Sequence, residues 1–117
     1  MGKDQSALRL LRHVLVAGMA AGAPDLSNRQ MAVLLSIYTE EPPHTVRGLA
    51  ARLGLTKPVI TRALDRLQAL GFVKRKRDPD DGRNVLVQRT VAGAVHLSEL
   101  AERVAAGEAE VAGNGRR

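Results

Sequence analysis

The segment TVRGLAARLGLTKPVITRALDRLQALGFVKRKRDPDDGRNVLVQRT, residues 45–90, decides how the rest of the chain is read. Its first part, RGLAARLG, sets Leu49, Ala50 and Leu53 on one side of a helix, at the i, i+1, i+4 spacing of an apolar stripe. Gly54 ends that helix, and Leu55 is placed to tuck back into the core. Thr56 is positioned as the N-cap of a second helix, its hydroxyl facing the free amides of the first turn. Pro58 falls inside that first turn, where its missing N–H breaks no intrahelical bond. Ile60, Ala63, Leu64, Leu67 and Leu70 line one face, and Gly71 stops the helix. The opposite face carries Lys57, Val59, Thr61, Arg62, Asp65 and Arg66. One side is built for burial, the other for cationic and hydrogen-bonding contact.

Two helices joined by a turn at Gly54 and Leu55 match the helix-turn-helix pattern, whose second helix enters the DNA major groove. The segments Phe72–Arg77 and Asn84–Arg89 alternate as strands, with Val85 and Val87 on one face, and the DPDDGR run between them is rich in turn formers. A basic hairpin directly after a recognition-type helix reads as a wing. From Thr45 to Gly93, about two-fifths of the chain, the sequence resembles the multiple-antibiotic-resistance regulators (MarR), bacterial winged-helix transcription factors. The most specific part is the wing signature: Asp81-x-Arg83, an apolar strand, Thr90, and Gly93 opening the next helix.

The resemblance implies roles residue by residue. Lys57, Pro58, Val59, Thr61 and Arg62, in the leading half of the second helix, would face base edges and nearby phosphates, and Arg66 would reach phosphate. Arg83 holds the position of the family's minor-groove arginine, and Asp81 that of the aspartate which orients it. A narrow minor groove attracts such a guanidinium through its enhanced negative potential. Arg75 and Arg77, on one face of the first wing strand, are further expected phosphate contacts. The sequence also departs from the family. There is room for one helix after the wing where the family has two, so no small-molecule inducer is expected. Gly82 replaces a common basic residue in the wing, and Arg89 stands where the family often has an apolar one.

Charge supports the same reading. Residues 45–90 hold 11 Lys and Arg against 4 Asp and Glu, a balance of +7 where the whole chain has +6. All the positive excess lies in the helix–helix–hairpin unit, the footprint of a nucleic-acid binder rather than of a generally solvated basic surface.

Outside this unit, SALRLLRHVLVAGMAAG predicts an N-terminal helix over residues 5–22 with two adjacent stripes, Leu8–Leu11–Leu15 and Leu10–Val14–Ala17. Such width suggests burial against more than one neighbour. Ser27 and Gln30 form a capping box for the next helix, with Met31, Leu34, Leu35 and Tyr38 as its inward stripe. His44-Thr45-Val46 reads as a short third strand, with His44 an exposed turn residue. After the wing, Thr90 caps a helix through about Glu110 whose stripe is Ala94, Leu97, Ala101 and Val104, with His96 beside it. Residues 112–117 are expected to fray.

Other classes of function find little support. The 117 residues suit one domain with a modest core, and 44% hydrophobic content supports folding. With no cysteine there is no disulfide framework, thiolate metal site or cysteine nucleophile. No apolar run approaches the ~20 residues of a membrane span, and MGKDQSALRL is too polar for a secretory signal, so a cytoplasmic protein without membrane contact is expected. The three histidines are isolated, the Asp78, Asp80 and Asp81 carboxylates lie in a turn without a closing Glu, and no phosphate-loop order is present. Neither enzymatic activity nor a metal or cofactor is expected. One Phe, one Tyr and no Trp leave no base-stacking platform for single strands.

The sequence therefore predicts a mainly α (α+β) protein: a winged helix-turn-helix core over residues 27–90, flanked by dimerisation helices over 5–22 and 91–111, within one 1–117 domain. The expected partners are double-stranded DNA and a second copy of the chain. A winged helix serving a protein partner, as an interaction or antitoxin-like module, is the alternative; fold alone does not separate the two.

Overall fold

The computed structural model describes residues 2–114. Five helices and three short strands follow in the order α1 (Lys3–Ala20), α2 (Asn28–Thr39), β1 (His44–Thr45), α3 (Val46–Leu53), α4 (Lys57–Ala69), β2 (Val73–Arg77), β3 (Val85–Arg89) and α5 (Val91–Asn114). They group into two compact units: Leu26–Val95, and the pair Met1–Asp25 with His96–Arg117.

The Leu26–Val95 unit is the winged helix. Ser27 opens α2 with a capping box: its hydroxyl accepts the Gln30 amide at 3.1 Å while the Gln30 side chain accepts the Ser27 amide at 2.9 Å. The α2 residues that reach full burial are Val33, Leu34 and Ile37; the helix packs on α4, where Ile60, Leu64 and Leu67 are buried, and on α3, where Leu49 is. This rotates the inward stripe from the one expected: Leu35 is exposed, and Met31 and Tyr38 are half-buried. The helix meets partners on two sides, so its buried arc follows their placement rather than the best period in its own sequence. The three-stranded antiparallel sheet has the order β1-β3-β2. His44 pairs with Val87 and Thr45 with Leu86, while Val46 already belongs to α3. His44 is buried, not an exposed turn residue, because pairing draws it under the sheet, where its Nε2 lies 3.2 Å from the Glu40 carbonyl.

Tyr38 knots this unit together. Its hydroxyl donates to the Phe72 carbonyl at 2.7 Å and accepts the Thr90 amide at 2.9 Å, joining α2 to the start of the hairpin and to its end. Thr90 caps α5 through the Gly93 amide and donates to the Gly71 carbonyl at 2.6 Å. Gly93 has no alternative here: a β-carbon would overlap the Tyr38 hydroxyl and the Phe72 carbonyl. Arg89 closes the C-terminal end of α2, donating from Nε to the Ile37 carbonyl at 2.8 Å and from Nη2 to the Glu40 carbonyl at 2.9 Å, with its guanidinium over the Tyr38 ring. A cation on the last carbonyls of a helix satisfies orphan acceptors and opposes the dipole.

In the other unit, α1 approaches α5 at Gly107, which is buried beneath Leu10 and His13. His13 Nδ1 lies 2.7 Å from a Glu110 carboxylate oxygen. Of the two stripes read on α1, Leu10–Val14–Ala17 is half-buried, whereas Leu8, Leu11 and Leu15 stay more than half exposed and Met19 is 79% exposed. Along α5 the inward line contains Gly93, His96, Leu97, Val104 and Gly107, so His96 lies within it, and Ala94 and Ala101 face outward. Small residues at a close approach, rather than the largest apolar ones, set this face. Helix α5 continues to Asn114, past the expected end at about Glu110; the rest of the tail expected to fray, residues 115–117, lies outside the described residues. No helix is long and apolar enough to cross a membrane among the described residues.

Candidate nucleic-acid interface

The turn between α3 and α4 fixes how α4 is presented. Gly54 adopts a left-handed φ of 65°, which a side chain would resist, and the Leu55 amide returns to the Ala50 carbonyl at 3.0 Å. Thr56 then caps α4, its hydroxyl accepting the Val59 amide at 3.4 Å. With Ile60, Ala63, Leu64 and Leu67 buried, the opposite face is committed to solvent. Lys57, Pro58, Thr61, Arg62 and Arg66 are all exposed there, while Val59 is half-buried. Five of the six expected α4 residues therefore share an open surface, led by the helix N-terminus.

The wing is a hairpin in tight register, from Val73 opposite Arg89 to Arg77 opposite Val85. Its tip is braced by its own acidic side chains. Asp78 accepts the Asp80 amide at 2.9 Å, and Asp81 Oδ1 accepts the Arg83 amide at 3.1 Å. The Arg83 side chain then turns back onto the same carboxylate, donating from Nε at 3.1 Å and from Nη2 at 3.4 Å. The Asp81 carboxyl is held below the ordinary carboxylate range by the Arg83 side chain, then by the Arg83 amide, with a smaller contribution from the charge of Arg47. Even so paired, the Arg83 side chain is 85% exposed. The guanidinium is thus oriented by a carboxylate and otherwise open to solvent.

The other wing arginines are less free. Arg77 donates to the Gly82 carbonyl at 2.6 Å and so pins the tip to its own strand. Arg75 reaches away from the tip to α4, with Nη2 2.8 Å from Asp65 Oδ1 and Nε 2.8 Å from Gln68 Oε1, and its side chain is only 23% exposed. Lys74 and Lys76 are exposed on the opposite side of β2. Sequence reasoning omitted Arg47, whose charge is felt at Asp81 from the start of α3. The signal was available: Arg47 follows by two residues the Thr45 that pairs with β3.

Among the described residues, no group of three or more His, Cys, Asp or Glu side chains is placed to hold a metal ion. What the surface offers is cations and hydroxyls on a helix, beside an oriented arginine on a hairpin.

Residues 25–84, just over half of the chain, match the family model described as MarR family. The chain belongs to the MarR family. An uncharacterized HTH-type transcriptional regulator of Bacillus subtilis, YcgE, is 34% identical over 64 residues, covering 55% of this chain and 42% of YcgE. The chain spans less than half the length of the curated relatives it matches. Among solved structures, a mutant MarR from E. coli complexed with operator DNA superposes with a TM-score of 0.67 at 28% identity, over 95% of this chain and 74% of that one. The transcriptional regulator Tm0710 from Thermotoga maritima gives a TM-score of 0.75 over 95% of this chain and 75% of its own, and at 22% identity it speaks for the fold alone. The winged helix built up above is thus the MarR fold, a mostly helical framework around a small antiparallel sheet.

Proposed function

We propose that this MarR-family chain is a sequence-specific regulator of transcription that binds double-stranded DNA as a homodimer. In this reading α4 lies in the major groove and the wing in the adjacent minor groove. The observation that carries it is the pairing of two exposed features: the cationic face of α4, and an Arg83 oriented by Asp81 yet without a partner deeper in the fold. An interface with an apolar protein partner would have no use for either. The operator complex of the related E. coli MarR mutant supports duplex DNA as the ligand.

Lys57, Pro58, Val59, Thr61 and Arg62 would meet base edges and neighbouring phosphates, Arg66 and Arg77 phosphates, and Arg83 the minor groove, with Arg47 as an added phosphate contact. Residues 1–117 would act as one functional domain. The exposed Leu8–Leu11–Leu15–Met19 line on α1 supports assembly through the outer helices, since a stripe of that length is costly to leave in water. A two-fold dimer would set its two α4 helices about 34 Å apart, one duplex turn.

Selection of binding sites from a pool of random duplexes tests the proposal. Enrichment of an inverted repeat with half-sites about one turn apart is the expected result. A folded chain that enriches no sequence would overturn it and favour a protein partner instead.

A further inference from the structure

We propose that Arg75 is a strut rather than a DNA contact: by bridging Asp65 and Gln68 it sets the spacing between α4 and the wing, and with it the register between major-groove and minor-groove reading. The inference rests on the DNA-binding function proposed above and adds a positioning device to it.

Three observations carry it. The guanidinium spends two different N–H groups on two different α4 side chains, both at 2.8 Å. Asp65 and Gln68 stand three residues apart, so they are neighbours on one flank of the helix, and a planar fork can span both. Arg75 also belongs to the same face of β2 as the buried Val73, which turns it toward the body of the unit while Lys74 and Lys76 point away. A phosphate contact needs the reverse on each count: an open guanidinium with its donors unspent.

The strut matters because of what each end holds. Asp65 lies between Arg62 and Arg66 in sequence, within the helix segment that would enter the groove. Two residues beyond Arg75, Arg77 pins the tip through the Gly82 carbonyl, and the tip carries Arg83. The base of the hairpin is fixed by the buried Val73 and Val87 and by the pairing of β3 with β1. The forked Arg75 side chain extends that hold to mid-strand, restricting the tip before binding, when its freedom would otherwise have to be lost on the DNA. Asp65 thereby gains a reason to be an acid on a face meant for phosphates.

This last point gives the test, because the electrostatic and positional roles of Asp65 have opposite signs. Asp65→Asn makes the protein more positive by one charge, so a reading based on charge alone predicts tighter binding. The strut predicts several-fold weaker binding on a selected A·T-flanked site, loss of preference over the same site with G·C flanks, and an unchanged thermal midpoint. Without DNA, hydrogen exchange of the wing amides between Lys76 and Val85 should quicken several-fold. Arg75→Gln should reproduce these effects with the salt slope of binding unaltered, the double variant should be no worse than either single one, and Asp65→Glu should restore most of the affinity.

Tighter binding by Asp65→Asn, or a salt slope lowered by about one in Arg75→Gln, would overturn the proposal and make Arg75 a phosphate contact. If the unaltered chain bound no duplex, the function proposed above would fail. Faster wing exchange in Asp65→Asn would even then support the strut, and unchanged exchange would overturn it.

Discussion

The Tyr38 hydroxyl accepts the backbone amide of Thr90 at 2.9 Å, across 52 residues of sequence. The same oxygen donates to the Phe72 carbonyl, and Gly93 lies so close that no side chain fits between. Tyr38→Phe keeps the ring and leaves the Thr90 amide without its acceptor. It should cost about 1–3 kcal/mol in urea unfolding, the usual penalty for a polar group left unpaired. Gly93→Ala should cost a similar ~1–3 kcal/mol through overpacking, even though alanine is the better helix former. Equal stability of Gly93→Ala and the unaltered chain would show that the knot yields without strain.

The arginines separate by chemistry. Arg62→Ala should lose about 1–3 kcal/mol on a selected site and little on random duplex, because only the specific complex uses a base edge. Arg83→Ala should weaken A·T-flanked sites most, since a minor-groove guanidinium senses width and potential. Arg77→Ala should weaken all sequences and lower the salt slope by about one. Titrations against matched and random duplexes at several salt concentrations distinguish the three. Equal losses for Arg62→Ala on both kinds of DNA would demote that residue to a phosphate contact.

Assembly can be checked at one position. Leu11 sits in the middle of the exposed α1 line and is 55% exposed in the single chain. Leu11→Glu should leave the winged helix folded and shift the mass from dimer to monomer in light scattering at tens of micromolar. A monomer before substitution, or an unchanged mass after it, would remove α1 from the interface.

A pH dependence follows from His96. Burial holds its imidazole below the ordinary histidine range, with the charge of Arg103 adding to the effect and Glu99 opposing it. The unfolded chain therefore takes up the proton first as pH falls through about 6.5. The stabilisation from keeping His96 neutral is complete above that pH and is lost progressively below it, down to the lowered folded value. Thermal midpoints taken from pH 8 to pH 5 should decline on the acid side, and His96→Gln should flatten part of that slope. Asp81 is also held low, so the stability it adds is present above the ordinary carboxylate range and is lost only as pH falls below about 4.

The local parts of this fold were legible because their causes are local. Thr56, Gly54 and the Ser27–Gln30 box act within four residues of themselves, and each cap stands where its side-chain chemistry placed it. The alternation around DPDDGR likewise put both wing strands within a residue of their observed ends. What escaped depends on distant partners. Leu35 carries the same hydrophobicity as Leu34, and only the positions of α3 and α4 decide which of them is buried. Arg89 looked like a substitution for an apolar residue until α2 supplied two carbonyls for it, 49 and 52 residues away in sequence. At the candidate site, the pairing of Arg83 with Asp81 was legible through the resemblance of Asp81-x-Arg83 to the family's wing signature, and the structure makes it. Arg75 could not, because its partners lie on another element and a strand period says nothing about which neighbour a long side chain will find.

The two compact units are joined twice, and the joints differ in kind. One is the irregular stretch over residues 21–27; the other falls between Val95 and His96, inside α5. A protease needs an extended, accessible backbone, which the first joint can provide and a hydrogen-bonded helix cannot. A single nick near Pro24 would therefore leave the halves held together by an intact helix. Nor can the winged helix be shortened to end at Arg89, since the Thr90 cap and Gly93 would leave with the helix, and Tyr38 would lose the Thr90 amide that holds it. The winged helix is not a detachable module, and its smallest excisable form must carry the opening turn of α5.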